Sequence, residues 1–118
     1  MIAQLFDKSA DYTGANPSIT LDIEQYEHLT IQAVGVSGTI NITGSNDGNS
    51  VTGVTDGNAT SAINFTAVQA VNMATGTAVT TITAAGLYRI TPICFKYLRL
   101  SGAGSAATKL LVLANKQI

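Results

Sequence analysis

The sequence predicts an all-β fold, an antiparallel β-sandwich of the jelly-roll kind with about eight short strands. Two observations carry this expectation. Val, Ile and Thr alternate with polar residues over runs of a few positions, the period of a strand with one buried face. Clusters of Gly, Asn and Asp separate those runs, and no segment keeps a helical period long enough to compete. At 118 residues the chain has room for one domain with a sizeable core and no second one.

Residues 1–17 are the least regular. They carry Leu5, Phe6, Asp7, Lys8, Asp11 and a turn-like stretch from Tyr12 to Pro17, and they are expected to form an edge strand or an arm over a neighbour. The sandwich domain occupies residues 18–118. From Ile19 to Glu24 the alternation is strict, with Ile19, Leu21 and Ile23 directed to the core and Thr20, Asp22 and Glu24 to solvent. The run from His28 to Val36 buries Leu29, Ile31 and Ala33, and Gly35 marks an expected bulge. Ile40 and Ile42 point inward before the Asn46-Asp47-Gly48 turn, which leads to a weak strand at Val51 to Val54 and a second turn at Asp56-Gly57-Asn58. Between Ala62 and Met73 the spacing of Ile63, Phe65, Val68 and Val71 drifts from two toward three. A strand is expected there, and a short helical turn around Ala67 to Ala70 stays open.

Val79 to Thr83 is β-branched at every position and ends at an Ala84-Ala85-Gly86 corner before Leu87-Tyr88-Arg89-Ile90. Pro92 interrupts, and Ile93 to Leu100 is the most core-like run of the chain. Ser101 to Ala107 reads as a loose connection into Lys109 to Ala114. That last run is apolar on both faces, natural for a strand with one face on the core and the other on a partner subunit.

Composition narrows the function. Hydrophobic residues make up 46% of the chain and charged ones 11%, less than half of the usual ~25%, so little charge is available to keep neighbouring molecules apart. Six basic residues against seven acidic ones, with no basic cluster, argue against nucleic acid as a partner. No apolar run approaches the roughly eighteen residues of a membrane-spanning helix, and the N-terminus lacks the pattern of a secretory leader, so no membrane association is expected. The single cysteine, Cys94, cannot close an intrachain disulfide and is expected to be a small buried hydrophobe between Ile93 and Phe95.

Reactive constellations are thin. Asn46, Asp47, Asn49 and Ser50 supply one carboxylate and no clamping Glu, which favours a plain turn over a calcium loop, as it does for Asp56-Gly57-Asn58. His28 is the lone histidine; beside Asp22, Glu24 and Glu27 it reads as a solvated edge, and no serine sits in a nucleophile elbow. Gly102-Ala103-Gly104-Ser105 is a linker and not a phosphate cradle. The chain is therefore expected to have no catalytic, cofactor or metal site. Tyr26, Tyr88 and Tyr97 offer an alternative as a sugar-stacking platform of a carbohydrate-binding sandwich. Arg89 and Arg99 each sit between inward-facing neighbours. Each guanidinium is expected to face solvent or to fork onto a carboxylate across an interface. The candidate interface set is Leu5, Phe6, Tyr12, Arg89, Tyr97, Arg99, Leu111 and Leu113.

A pattern of short motifs runs from about Ser37 to Leu113: Ser37-Gly38-Thr39-Ile40, Gly44-Ser45-Asn46-Asp47-Gly48, Ile82 through the Ala84-Ala85-Gly86 corner to Ile90, Phe95-Lys96-Tyr97-Leu98-Arg99-Leu100, and a final apolar strand. It resembles small β-sandwich structural proteins of tailed bacteriophage particles, although Asn49-Ser50-Val51 stands where such proteins often carry a Trp. The resemblance implies a virion structural component, first of all a capsid decoration (cement) protein that stabilises the outer shell. The alternative it implies is a tail, neck or fibre module. It also implies a homo-oligomer, with a trimer expected, contacts to the major capsid protein or other virion proteins, and a place on the capsid surface or tail after synthesis in the host cytoplasm.

Overall fold

A computed structural model describes residues 2–7, 18–24, 26–46, 54–56, 64–102, 104 and 107–115. The described residues contain twelve strands and no helix. These are β1 (Ile2–Asp7), β2 (Ser18–Asp22), β3 (His28–Val34), β4 (Ile40–Ser45), β5 (Val54–Asp56), β6 (Thr66–Ala67), β7 (Ala70–Asn72), β8 (Ala78–Val79), β9 (Thr81–Ile82), β10 (Gly86–Ile90), β11 (Tyr97–Gly102) and β12 (Lys109–Asn115). The excess over the expected number comes from β5 to β9, pieces of two or three residues inserted between β4 and β10.

The pairings are nested. β1 pairs with β12, β2 with β11, β3 with β10 and β4 with β9, all antiparallel. Such nesting describes one long two-stranded ribbon whose successive pairs go to opposite sheets. The first sheet runs β1-β12-β3-β10-β7-β8; the second runs β5-β2-β11-β4-β6, with β9 also on β4. That order is the jelly roll which the alternation and turn spacing predict.

Inward-facing residues of both sheets meet in one core. Leu29 and Ile31 of β3, Leu110 and Val112 of β12, and Tyr88 and Ile90 of β10 face Ile19, Leu21, Ile40, Ile42, Leu98 and Leu100 of the second sheet. Each of these side chains is buried, which at roughly 25 cal/mol per Å² stabilises by about 1.5–3 kcal/mol apiece before ordering costs.

Several expectations are corrected. Thr20, expected at solvent, is completely buried, because the outer face of the second sheet is covered by other parts of the chain. Cys94 is exposed and not buried: Ile93 and Phe95 pack on the core, so the residue between them turns outward. The strand there starts only at Tyr97, after bends that follow the cis Thr91-Pro92 bond. No helical turn forms around Ala67 to Ala70, where β6 ends and β7 begins. Asp56 belongs to β5, and Ser101 and Gly102 belong to β11. Asp47, Gly48, Asn49, Ser50, Gly57 and Asn58 lie outside the described residues.

Gly35 is not a bulge within the ladder. β3 stays in register with β12 up to Val34, and Gly35 follows as the turn, with φ of +62°. The Thr108 hydroxyl donates to its carbonyl at 2.9 Å, and a Cβ built on it would overlap the Ala107 carbonyl. Gly35→Ala is therefore expected to destabilise the fold by about 2 kcal/mol or more, combining a left-handed backbone with a steric clash. Urea denaturation measures this, and an unchanged midpoint would mean that the two segments part freely.

Candidate protein interface

The two outer faces of the sandwich differ in how they are covered. On the second sheet Tyr97 is completely buried, Ser45 nearly so, and Arg99 half-buried. Register places Arg99 between Thr20 of β2 and Thr43 of β4. Its Nε donates to Thr20 Oγ1 at 3.1 Å, and its guanidinium carbon lies 4.0 Å from the centre of the Phe65 ring. The Thr43 hydroxyl donates to its carbonyl at 3.2 Å. Burial pushes the guanidinium pKa down from its ordinary value, and the aromatic face offsets part of that desolvation. Of the expected interface residues, Tyr97 is thus enclosed in the free molecule, and Arg99 is engaged within the chain, where the Phe65 ring lies over its guanidinium.

The first sheet is open. Pairing across β12, β3 and β10 aligns Lys109 with Val34, then Leu111 with Gln32 and Leu87, then Leu113 with Thr30 and Arg89. Val71 of β7 continues the last row beside Arg89. Val34, Leu87 and Leu113 are 40%, 44% and 42% exposed, and Met73, 49% exposed, donates its backbone N–H to the Leu87 carbonyl. Among the described residues these are all of the exposed large hydrophobic side chains. Single exposed apolar residues are ordinary, but a concentration on one face marks a contact surface.

Arg89, Leu111 and Leu113 of the expected set therefore share this face, with Leu111 half-buried. β1 extends the same sheet beyond β12, Gln4 opposite Leu113 and Asp7 opposite Leu111; a register shift falls between Gln4 and Phe6, where Leu5 sits. Tyr12 lies outside the described residues. Sequence reasoning passed over Val34, Leu87 and Met73. The available signal was an apolar residue at an outward position of the alternation, Val34 after Ala33 and Leu87 before Tyr88.

A depression of about 440 Å³ opens at one end of this face, lined by His28, Leu29, Thr30, Arg89, Thr91, Leu113 and Asn115. His28 Nδ1 and Thr91 Oγ1 are hydrogen-bonded. The three tyrosines form no sugar-stacking platform: Tyr88 is in the core with its hydroxyl donating to the Ala84 carbonyl at 2.7 Å, Tyr97 is enclosed, and Tyr26 packs half-buried on the core.

No family model and no curated protein matches the chain by sequence. In three dimensions it is similar to the SPBc2 prophage-derived protein YomS, whose crystal structure gives a TM-score of 0.61 at 9% identity over 97% of this chain and 90% of that one. The fold is shared with a prophage-derived protein. At that identity the likeness is one of architecture, and it spans the whole sandwich.

Proposed function

We propose that the chain is a non-enzymatic structural protein of a bacteriophage particle, in first place a capsid decoration protein that lies on the outer shell. The observation that carries this reading is the asymmetry of the two sheets: one outer face is covered by the chain itself around Thr20, Tyr97 and Arg99, while the other holds Val34, Leu87 and Leu113 in the open. The fold likeness to a prophage-derived protein and the low charge support the same reading. The molecule measures 32 × 31 × 23 Å, so a broad face suffices for the ~800 Å² per partner of a standard interface. Burial of such a face on a shell subunit, repeated over many copies, adds contact area against the outward pressure of a packaged genome.

The purified protein is expected to sediment as a small homo-oligomer, a trimer, and to bind empty shells saturably. Electron microscopy of labelled particles separates this from a tail, neck or fibre position. A lone subunit that ignores phage particles would refute the proposal.

A further inference from the structure

We propose that the depression around Arg89 is a receptor for a protein carboxylate, an Asp or Glu side chain set among apolar neighbours on a partner protein different from this chain. The inference rests on reading the open face of the first sheet as an interface, and names what that face selects.

Arg89 is exposed, and its side chain makes no hydrogen bond or ion pair among the described residues. Among the described residues no carboxylate lines the depression. The other polar groups around it are the Thr30 and Thr91 hydroxyls, the Asn115 amide and the His28 imidazole, whose Nδ1 is held by Thr91, leaving Nε2 as its remaining ring nitrogen. A guanidinium offers two parallel N–H donors that match the two oxygens of a carboxylate, and neutral donors alongside complete its coordination. Leu29 and Leu113 supply the apolar walls, and Leu87 and Val34 extend the apolar surface away from the depression. Such surroundings strengthen a charge-assisted hydrogen bond by excluding water.

Charge also decides against a second copy seated face to face. β3, β10 and β12, the strands that line the depression, contain Arg89 and Lys109 and no acidic residue, and the one acidic position of this sheet among the described residues, Asp7, lies on the edge strand β1, so an isologous pair centred on the depression would set Arg89 against Arg89. A carboxylated sugar has the right anion, but among the described residues no Tyr or Phe lines the depression to stack on a sugar ring.

The test is an NMR titration of the full chain with three probes at up to tens of millimolar: the blocked peptides Leu-Glu-Leu and Leu-Gln-Leu, and galacturonate. The Glu peptide is expected to shift the amides of Thr30, Arg89 and Asn115 and to bind at least about fivefold more tightly than its Gln counterpart. Arg89→Gln, a substitution at an exposed position, should erase that preference, and Arg89→Lys should keep only part of it. Equal binding of the two peptides, shifts located elsewhere, or tighter binding of galacturonate would overturn the inference. So would a change in the sedimenting mass of the free protein on Arg89→Gln, which would make another copy the occupant. Shell binding without any carboxylate preference would remove this inference and leave the structural role intact, while a carboxylate preference without shell binding would do the reverse.

Discussion

Leu113→Asp is expected to weaken binding of the protein to phage shells by about 100-fold or more while leaving the fold intact. Leu113 is 42% exposed on β12, with Thr30 beside it and Arg89 one strand further. Because the side chain is only partly covered in the free molecule, an Asp there costs about 1–2 kcal/mol through lost packing and lowered strand preference. At a contact the balance reverses. An apolar anchor is lost and a carboxylate must be desolvated, and central anchors of interfaces commonly account for 2 kcal/mol or more. Co-sedimentation with empty shells reads the loss directly. Asn41→Asp is the control, because Asn41 is exposed on the opposite sheet and should leave binding unchanged. If both variants bind like the parent, the open face of the first sheet is not the contact surface.

Ile31→Ala should have the largest effect on stability. Ile31 is completely buried at the middle of β3, aligned with Val112 on one side and Tyr88 on the other, in the strand that joins the two halves of the first sheet. Truncation loses the transfer free energy of the removed carbons and leaves a cavity that strands locked on both sides cannot close. The expected cost is about 2–5 kcal/mol, out of a total of about 5–15 kcal/mol for a domain. Ile31→Val should cost only about 0.5–1.5 kcal/mol. Urea denaturation followed by circular dichroism measures both, and the slope of the transition should stay the same. A cost below 1 kcal/mol for the Ala variant would mean that the sheets repack around the gap.

Much of the fold is legible in the pattern of side chains, because in a strand the face to which a residue points depends on local backbone geometry alone. Ile19, Leu21, Leu29, Ile31, Ile40 and Ile42 all lie in the core as their alternation predicts. Thr20 shows where that logic stops. Its direction away from the core follows from the alternation, but its burial depends on β11 bringing Arg99 beside it from 79 positions away and on Phe65 closing over the guanidinium. Cys94 fails for the opposite reason: apolar neighbours on both sides suggest a buried run, yet because both pack inward they send the middle residue out.

The candidate interface divides along the same line. Leu111, Leu113 and Arg89 stand out as outward residues in the sequence, and so do Tyr97 and Arg99, with nothing local to separate the two groups. Only the assembled sandwich separates them, through which outer face the chain covers and which it leaves bare. By itself the sequence determined the strand periodicity, the inward residues and the scarcity of charge, since these reside in the order of side chains along the backbone. The tertiary structure decided which outward residues remain exposed and that Arg89 meets Leu113 across β3. Contact between strands far apart in the chain depends on long-range pairing and packing, which no local period encodes.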